Sequence, residues 1–139
     1  MRIVIVGAAL AGPTAAARAR EVNEKAEIIL LERNTRVSYA MAGLAHHLSG
    51  EVSSLDELNR ERENFFRAVY NIDVRIRTEV VDIQTKQKLL TLKENGKQES
   101  LSYDKLIYAA GAASLHPVGA PKDAENFRYF RTLESCSLT

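Results

Sequence analysis

Sulfur is nearly absent: the 139-residue chain has one cysteine, Cys136. One thiol cannot close an internal disulfide, and no metal-type cysteine spacing exists, so Cys136 reads as a tail thiol and no metal site is expected. No apolar run approaches the ~20 residues that span a bilayer, which argues against a membrane segment. Charge bias is missing too. A formal net charge of +1 gives no electrostatic reason to expect nucleic acid or an anionic membrane as partner. There is no internal repeat and no low-complexity tract. With 45% hydrophobic and 27% charged residues, the composition is that of a soluble globular chain able to build one modest core, with a cytoplasmic location as the default.

The apolar residues fall into short blocks. Arg2–Val6, "RIVIV", is β-branched and suits a central parallel strand covered on both faces. Gly7 and Gly12 follow at once, which fits a strand and turn better than a signal peptide. From Pro13 to Glu24 the composition is helical, with Pro13 tolerable in the first turn. Glu27–Leu31, "EIILL", is a second buried strand, completing a β-α-β unit of the expected size. Ser54 and Glu57 form a capping box at the head of a helix expected to run to Tyr70. Ile72, Val74, Ile76, Val80 and Val81 alternate with polar residues as in a half-wet strand. Asn95-Gly96 sits at a hairpin turn. Lys105–Ala112, "KLIYAAGA", is expected as another buried strand. This order defines an α/β fold with a parallel sheet and a small antiparallel β meander.

The turn after the first strand reads Gly7-Ala8-Ala9-Leu10-Ala11-Gly12. A full dinucleotide fingerprint has glycine at position 9. Here Gly7 can supply the tight turn and Gly12 the close helix approach, while Ala9 places a methyl where backbone nears a pyrophosphate. The phosphates would be held by backbone N–H groups at the positive end of the helix. Glu32 ends the second strand about 20 residues on, where an acid accepts bonds from ribose hydroxyls. That carboxylate argues against a 2′-phosphate in the same pocket. The bland alternative is an ordinary crossover with an exposed glutamate.

Taken in order, "VIVGAALAGPTAAARAR", "EIILLER", "VSYAMAGL", "NIDVRIRTEVVDI", "SYDKLIYAAGA" and "FRYFRTLE" resemble the N-terminal segment of the flavin-dependent pyridine nucleotide–disulfide oxidoreductases. The similarity is to the branch of coenzyme A-disulfide reductases, NADH oxidases and polysulfide reductases. The resemblance implies a Rossmann-like FAD/NAD(P)-binding three-layer fold. It implies that Gly7, Ala8, Ala9, Leu10, Ala11 and Gly12 hold FAD phosphates, with Glu32 at the adenosine ribose and Arg33 near the adenine. Val81 and Val80 would offer backbone to the adenine, and Ala109, Ala110 and Gly111 would pass the flavin's phosphate and ribitol side. Thr14, Arg18 and Ser38 match positions serving thiol substrates. Family members with thiol chemistry read roughly "SFANCGLPYY"; this chain reads "SYAMAGLAHH". Ala42 replaces the cysteine, Met41 the asparagine, and Glu21 stands where a second basic residue is usual. A thiolate is the nucleophile for that exchange and Ala42 offers none, so no catalytic side chain is assigned. His46 and His47 read as partly exposed residues after a turn of helix, with no carboxylate partner or metal spacing visible.

The resembling enzymes are several times longer. Residues 1–112 are expected to form the first segment of an FAD-binding domain, and 113–139 a crossover tail toward an absent NAD-binding domain. NAD(P)H would then be an electron donor only in a complete protein, the isolated chain would be inactive, and self-association or a partner subunit supplying the NAD-binding and dimerisation segments is expected. The alternatives are a non-catalytic adenine-nucleotide-binding module or a truncated remnant.

Overall fold

The structure, a computed structural model, describes residues 1–58, 63–119 and 129–136. Two compact units divide it: Met1–Tyr39 with Asn59–Ala110, and Ala40–Leu58 with Gly111–Thr139.

In the first unit, β1 (Arg2–Val6) leads into α1 (Ala11–Val22) and then β2 (Glu27–Leu31). β2 pairs parallel to β1 with Arg2 opposite Glu27 and Val6 opposite Leu31. The helix starts two residues before the expected Pro13, which occupies its third position and is buried; its missing N–H is one that the first turn leaves unpaired anyway. Both strands are nearly all β-branched or leucine, because both of their faces are covered.

On one face Ile3, Ile5, Ile28 and Leu30 pack with Ala16, Phe66, Ile72 and Val74. On the other, Val4, Val6, Ile29 and Leu31 pack with Leu90, Leu92, Leu101 and Tyr103. Helices, parallel sheet and antiparallel sheet thus form three layers. Each fully buried Ile or Leu contributes roughly 1.5–3 kcal/mol. Arg20, in the last turn of α1, donates from Nε to the carbonyl of Tyr70 (2.8 Å) and from Nη2 to that of Asn71 (2.8 Å). It thereby ties α1 to the carbonyl end of the later helix (Glu63–Tyr70), where a cation is favoured.

Three expectations need correction. The stretch from Ile72 to Val81 is not one strand. β3 (Asp73–Arg75) joins the parallel sheet beside β2, and β4 (Thr78–Gln84) begins the antiparallel sheet. The break is at Arg77, whose φ of +55° reverses the chain while its N–H bonds the carbonyl of Asn34 at 2.9 Å. The strand expected over Lys105–Ala112 is only β7 (Lys105–Tyr108). It is half-exposed rather than buried because it is the end strand of the order β3-β2-β1-β7. The helix expected from Ser54 to Tyr70 is a 3-10 turn at Leu55–Leu58 and an α-helix at Glu63–Tyr70; residues 59–62 lie outside the described residues. The capping interaction itself forms: the Ser54 N–H donates to Glu57 Oε1 at 3.0 Å, and the Ser54 hydroxyl accepts from the Asp56 N–H at 3.2 Å.

The hairpin holds as expected. β5 (Leu89–Glu94) and β6 (Lys97–Ser102) are joined by Asn95 and Gly96 at φ +50° and +80°, the pair of positive angles a two-residue type I′ turn requires.

The second unit carries a 3-10 turn at Met41–Gly43, α2 (Leu44–Leu48), the Leu55–Leu58 turn and a last helical turn at Leu133–Cys136. Among its described residues, Leu44, Leu58 and Leu133 are buried. Of the expected tail, residues 120–128 and 137–139 lie outside the described residues. With the helix at Glu63–Tyr70 as α3 and the last turn as α4, no helix among the described residues is long and apolar enough to cross a membrane.

Candidate nucleotide-binding cleft

The end of β1 is shaped by two glycines that have no room for a side chain. Gly7 has φ +98°, and a Cβ there would lie 2.3 Å from the carbonyl oxygen of Ala109. A Cβ on Gly12 would lie 1.8 Å from the carbonyl oxygen of Gly7. Gly12 therefore lets α1 seat directly on the turn. The helix head carries no side-chain cap and no acid in its first turn. The N–H groups of Ala11 and Gly12 begin the helix, where no intrahelical acceptor exists, and no acid of the helix's own first turn offsets the partial positive charge there. Ala9 is half-buried and Leu10 exposed.

Glu32 is the buried acid of this region, 8% exposed. Its Oε2 accepts the Ala8 N–H at 2.8 Å and its Oε1 the Asn34 N–H at 2.9 Å. The Glu32 backbone donates to the Arg75 carbonyl and accepts from the Thr78 N–H, each at 2.9 Å. The end of β2 is thereby stitched to the phosphate-type turn and to the β3–β4 junction.

Gly7, Glu32, Arg33, Val80 and Ala110 all line one open cleft at the carboxyl ends of β1 and β2. Thr78, Glu79 and Tyr108 line it as well, and sequence reasoning missed these three. Thr78 is 2% exposed and Tyr108 67% exposed. An unshielded tyrosine ending the strand beside β1 was the available signal for the latter. Ala8 lies buried under the turn. Val81 does not line the cleft; the β4–β5 register passes from Val80–Leu92 to Asp82–Thr91, leaving Val81 as the bulged residue. Ala109 donates its N–H to the Val6 carbonyl at 2.8 Å. Gly111, at φ +73°, belongs to the second unit.

Thr14, Arg18 and Ser38 come together elsewhere, in a groove between α1 and α3 lined also by Glu21, Phe65, Phe66 and Tyr70. Arg18 is paired with Glu21 there at 2.7 Å, both exposed, so the one cation among the described lining residues is neutralised within the helix. Ala42 sits exposed in the Met41–Gly43 turn of the second unit. His46, expected to lack a carboxylate partner, has one: its Nδ1 is 2.6 Å from Glu51 Oε2. The hairpin-like return of the chain after α2, with the Val52 N–H on the His46 carbonyl, brings Glu51 back five positions on. His47 Nδ1 bonds the Val52 carbonyl at 2.9 Å. No group of three metal-ligating side chains occurs among the described residues.

A tight glycine turn feeding an uncapped helix, with an acid ending the adjacent parallel strand and the cleft at the carboxyl edge of the sheet, is the layout of the dinucleotide-binding type of α/β fold. The sequence pattern of the pyridine nucleotide-disulphide oxidoreductases matches residues 1–139, and the chain belongs to that family, in its coenzyme A-disulfide reductase, NADH oxidase and persulfide reductase branch. An NADH oxidase of Methanocaldococcus jannaschii is 27% identical over 135 residues, covering 96% of this chain and 30% of that protein. A coenzyme A disulfide reductase of Staphylococcus haemolyticus is 28% identical over 115 residues, 81% of this chain and 26% of the relative. The solved structure of a NAD-dependent persulfide reductase from A. fulgidus superposes with a TM-score of 0.93 at 30% identity, covering 99% of this chain and 26% of that one. The chain thus spans about a third or less of the relatives it matches, and its fold is the FAD-binding Rossmann-like fold of the family.

Proposed function

We propose that the chain binds FAD in the Gly7–Glu32 cleft and forms the flavin-holding part of an NAD(P)H oxidoreductase that works without thiol chemistry. The observation that carries this is the gathering of Gly7, Glu32, Arg33, Val80 and Ala110 around one cleft at the carboxyl ends of β1 and β2. The residues fit the cofactor. The uncapped, acid-free first turn of α1 suits a diphosphate, with Gly7 to Gly12 supplying close backbone. Each Glu32 oxygen spends one lone pair on a backbone N–H, so acceptor capacity is left for ribose hydroxyls. The carboxylates of Glu32 and Glu79 together repel a further phosphate on that ribose. The bulge at Val81 frees backbone beside Val80 for the polar edge of an adenine. Ala109 and Ala110, which follow β7 in the same unit, would continue the site toward the flavin end.

FAD, if held there, would supply hydride and electron-transfer chemistry. This chain's residues bind and orient it. At the position of the family's redox cysteine they supply no thiol, because Ala42 stands there. The Arg18–Glu21 pair leaves no net positive charge among the described residues lining the α1–α3 groove, which disfavours a polyphosphate substrate beside Thr14 and Ser38. The site for NAD(P)H would come from polypeptide outside the matched part of the relatives.

The experiment is expression and purification of the chain followed by its absorption spectrum. Yellow protein, or colourless protein that takes up FAD, is the expected result. Folded protein that cannot be reconstituted with FAD would contradict the proposal. A non-catalytic adenine-nucleotide module is favoured instead if ADP binds as tightly as FAD, because the cleft lining that includes Glu32, Arg33 and Val80 suits the adenosine half alone.

A further inference from the structure

Resting on the nucleotide reading, we infer that Glu32 is a positioning residue for the phosphate turn and not only a ribose acceptor: its carboxylate fixes Ala8 and so sets the donors that meet the diphosphate. Glu32 is 8% exposed and its Oε2 takes the buried Ala8 N–H at 2.8 Å. The Ala8 carbonyl is held from the other side by the Ser38 N–H, also at 2.8 Å. Gly7, one residue earlier, donates its N–H to the Leu31 carbonyl at 2.8 Å. Both backbone groups of Ala8 and the Gly7 donor are therefore spent on the protein. None is left for phosphate, and the peptide planes that enter α1 are fixed by a charged acceptor.

The remaining donors of the turn lie from Ala9 onward, ahead of a helix without a side-chain cap. Among the described residues no other charged side chain is bonded to this turn: with Ala8 untied, the Gly7–Leu31 and Ser38–Ala8 backbone bonds and the Gly7–Gly12 approach would be left to hold it. The same carboxylate anchors Asn34 through Oε1 at 2.9 Å, and the Arg77 N–H reaches the Asn34 carbonyl, also at 2.9 Å. Glu32 thus links the turn to the β3–β4 junction on which Val80 is mounted. Here each carboxylate oxygen accepts one backbone amide; a glutamine in its place keeps one acceptor oxygen and turns a donor toward the other amide.

The test separates this role from ribose recognition by using two ligands, ADP and 2′,3′-dideoxy-ADP, the second having no ribose hydroxyl for Glu32 to bind. Wild type, Glu32→Gln and Glu32→Ala are compared by calorimetry, with the Ala8 amide followed by NMR in the ligand-free chain. Glu32→Gln is expected to shift the Ala8 amide resonance and speed its exchange. It is expected to weaken 2′,3′-dideoxy-ADP about tenfold, the scale of a charged hydrogen bond, while ADP weakens further. Glu32→Ala is expected to exaggerate both effects, and if it unfolds, the Gln variant and the wild-type ligand pair still decide. Undiminished affinity of both variants for the dideoxy ligand, or an Ala8 amide unmoved in Glu32→Gln, overturns the positioning role alone. A folded wild-type chain that binds neither ligand overturns the nucleotide reading, and this role with it.

Discussion

The two ends of the parallel sheet are built from the same strands and hold their polar groups in opposite ways. At the carboxyl end, Glu32 is buried and bonded to two backbone amides, and Gly7 and Gly12 leave no space for a methyl. At the amino end, Arg2 pairs with Glu27 at 2.8 Å and its N–H donates to Asp104 Oδ2 at 2.6 Å, all in solvent. Exposed pairs of this kind contribute little, because water and salt screen them. The comparison shows where the fold has committed itself: one end is fixed by sterics and buried hydrogen bonds around a cleft, the other is trimmed with replaceable charges. Ligands of open α/β sheets bind at the carboxyl end, and there the residues are least free to change.

Substitutions at the two ends should therefore differ in size. Gly12→Ala is the most damaging, since its Cβ would fall 1.8 Å from the Gly7 carbonyl oxygen and α1 would have to leave the turn. A stability loss of roughly 3 kcal/mol with loss of FAD binding is expected, read by thermal melts and titration; a variant that melts and binds as wild type would break the comparison.

Tyr108→Ala comes next. The ring is 67% exposed and lines the cleft, so a bound ligand would cover it. FAD affinity should fall about tenfold with little change in melting temperature.

Ala9→Gly has a smaller effect of opposite sign. Removing the methyl should tighten FAD roughly threefold while costing about 0.5 kcal/mol of stability, and weaker binding would show that Ala9 does not face the diphosphate.

The amino end should respond least. The Arg2 N–H holds the Asp104 carboxylate below its ordinary value of 3.8. A lowered folded pKa gives stability that is present above the unfolded value and lost as pH falls through the folded one. Asp104→Asn should therefore be slightly less stable than wild type near neutrality and match it once acid has protonated the native carboxylate. A gap that persists or widens at low pH would contradict that sign.

Much of the cleft could be read in the sequence because its determinants are local. Gly7, Gly12 and Glu32 announce themselves by type and spacing, and Glu27–Leu31 and Asn95-Gly96 by composition. What escaped depends on tertiary placement. Apolar alternation runs unbroken through Ile72, Val74 and Ile76 toward Val80, yet the chain changes sheets at Arg77, a residue type that does not advertise a positive φ. The exposure of β7 follows from its place at the end of the sheet order, which no strand reveals about itself. Thr78 and Glu79 enter the cleft only because β4 begins beside the end of β2. The Glu51 partner of His46 needs the chain to turn back after α2.

The most direct measurement is a titration of the purified chain with FAD, followed by flavin fluorescence and then challenged with ADP. The account predicts saturable binding that ADP displaces and that Gly12→Ala abolishes. Folded chain that binds neither FAD nor ADP, or FAD binding indifferent to both ADP and Gly12→Ala, would contradict it.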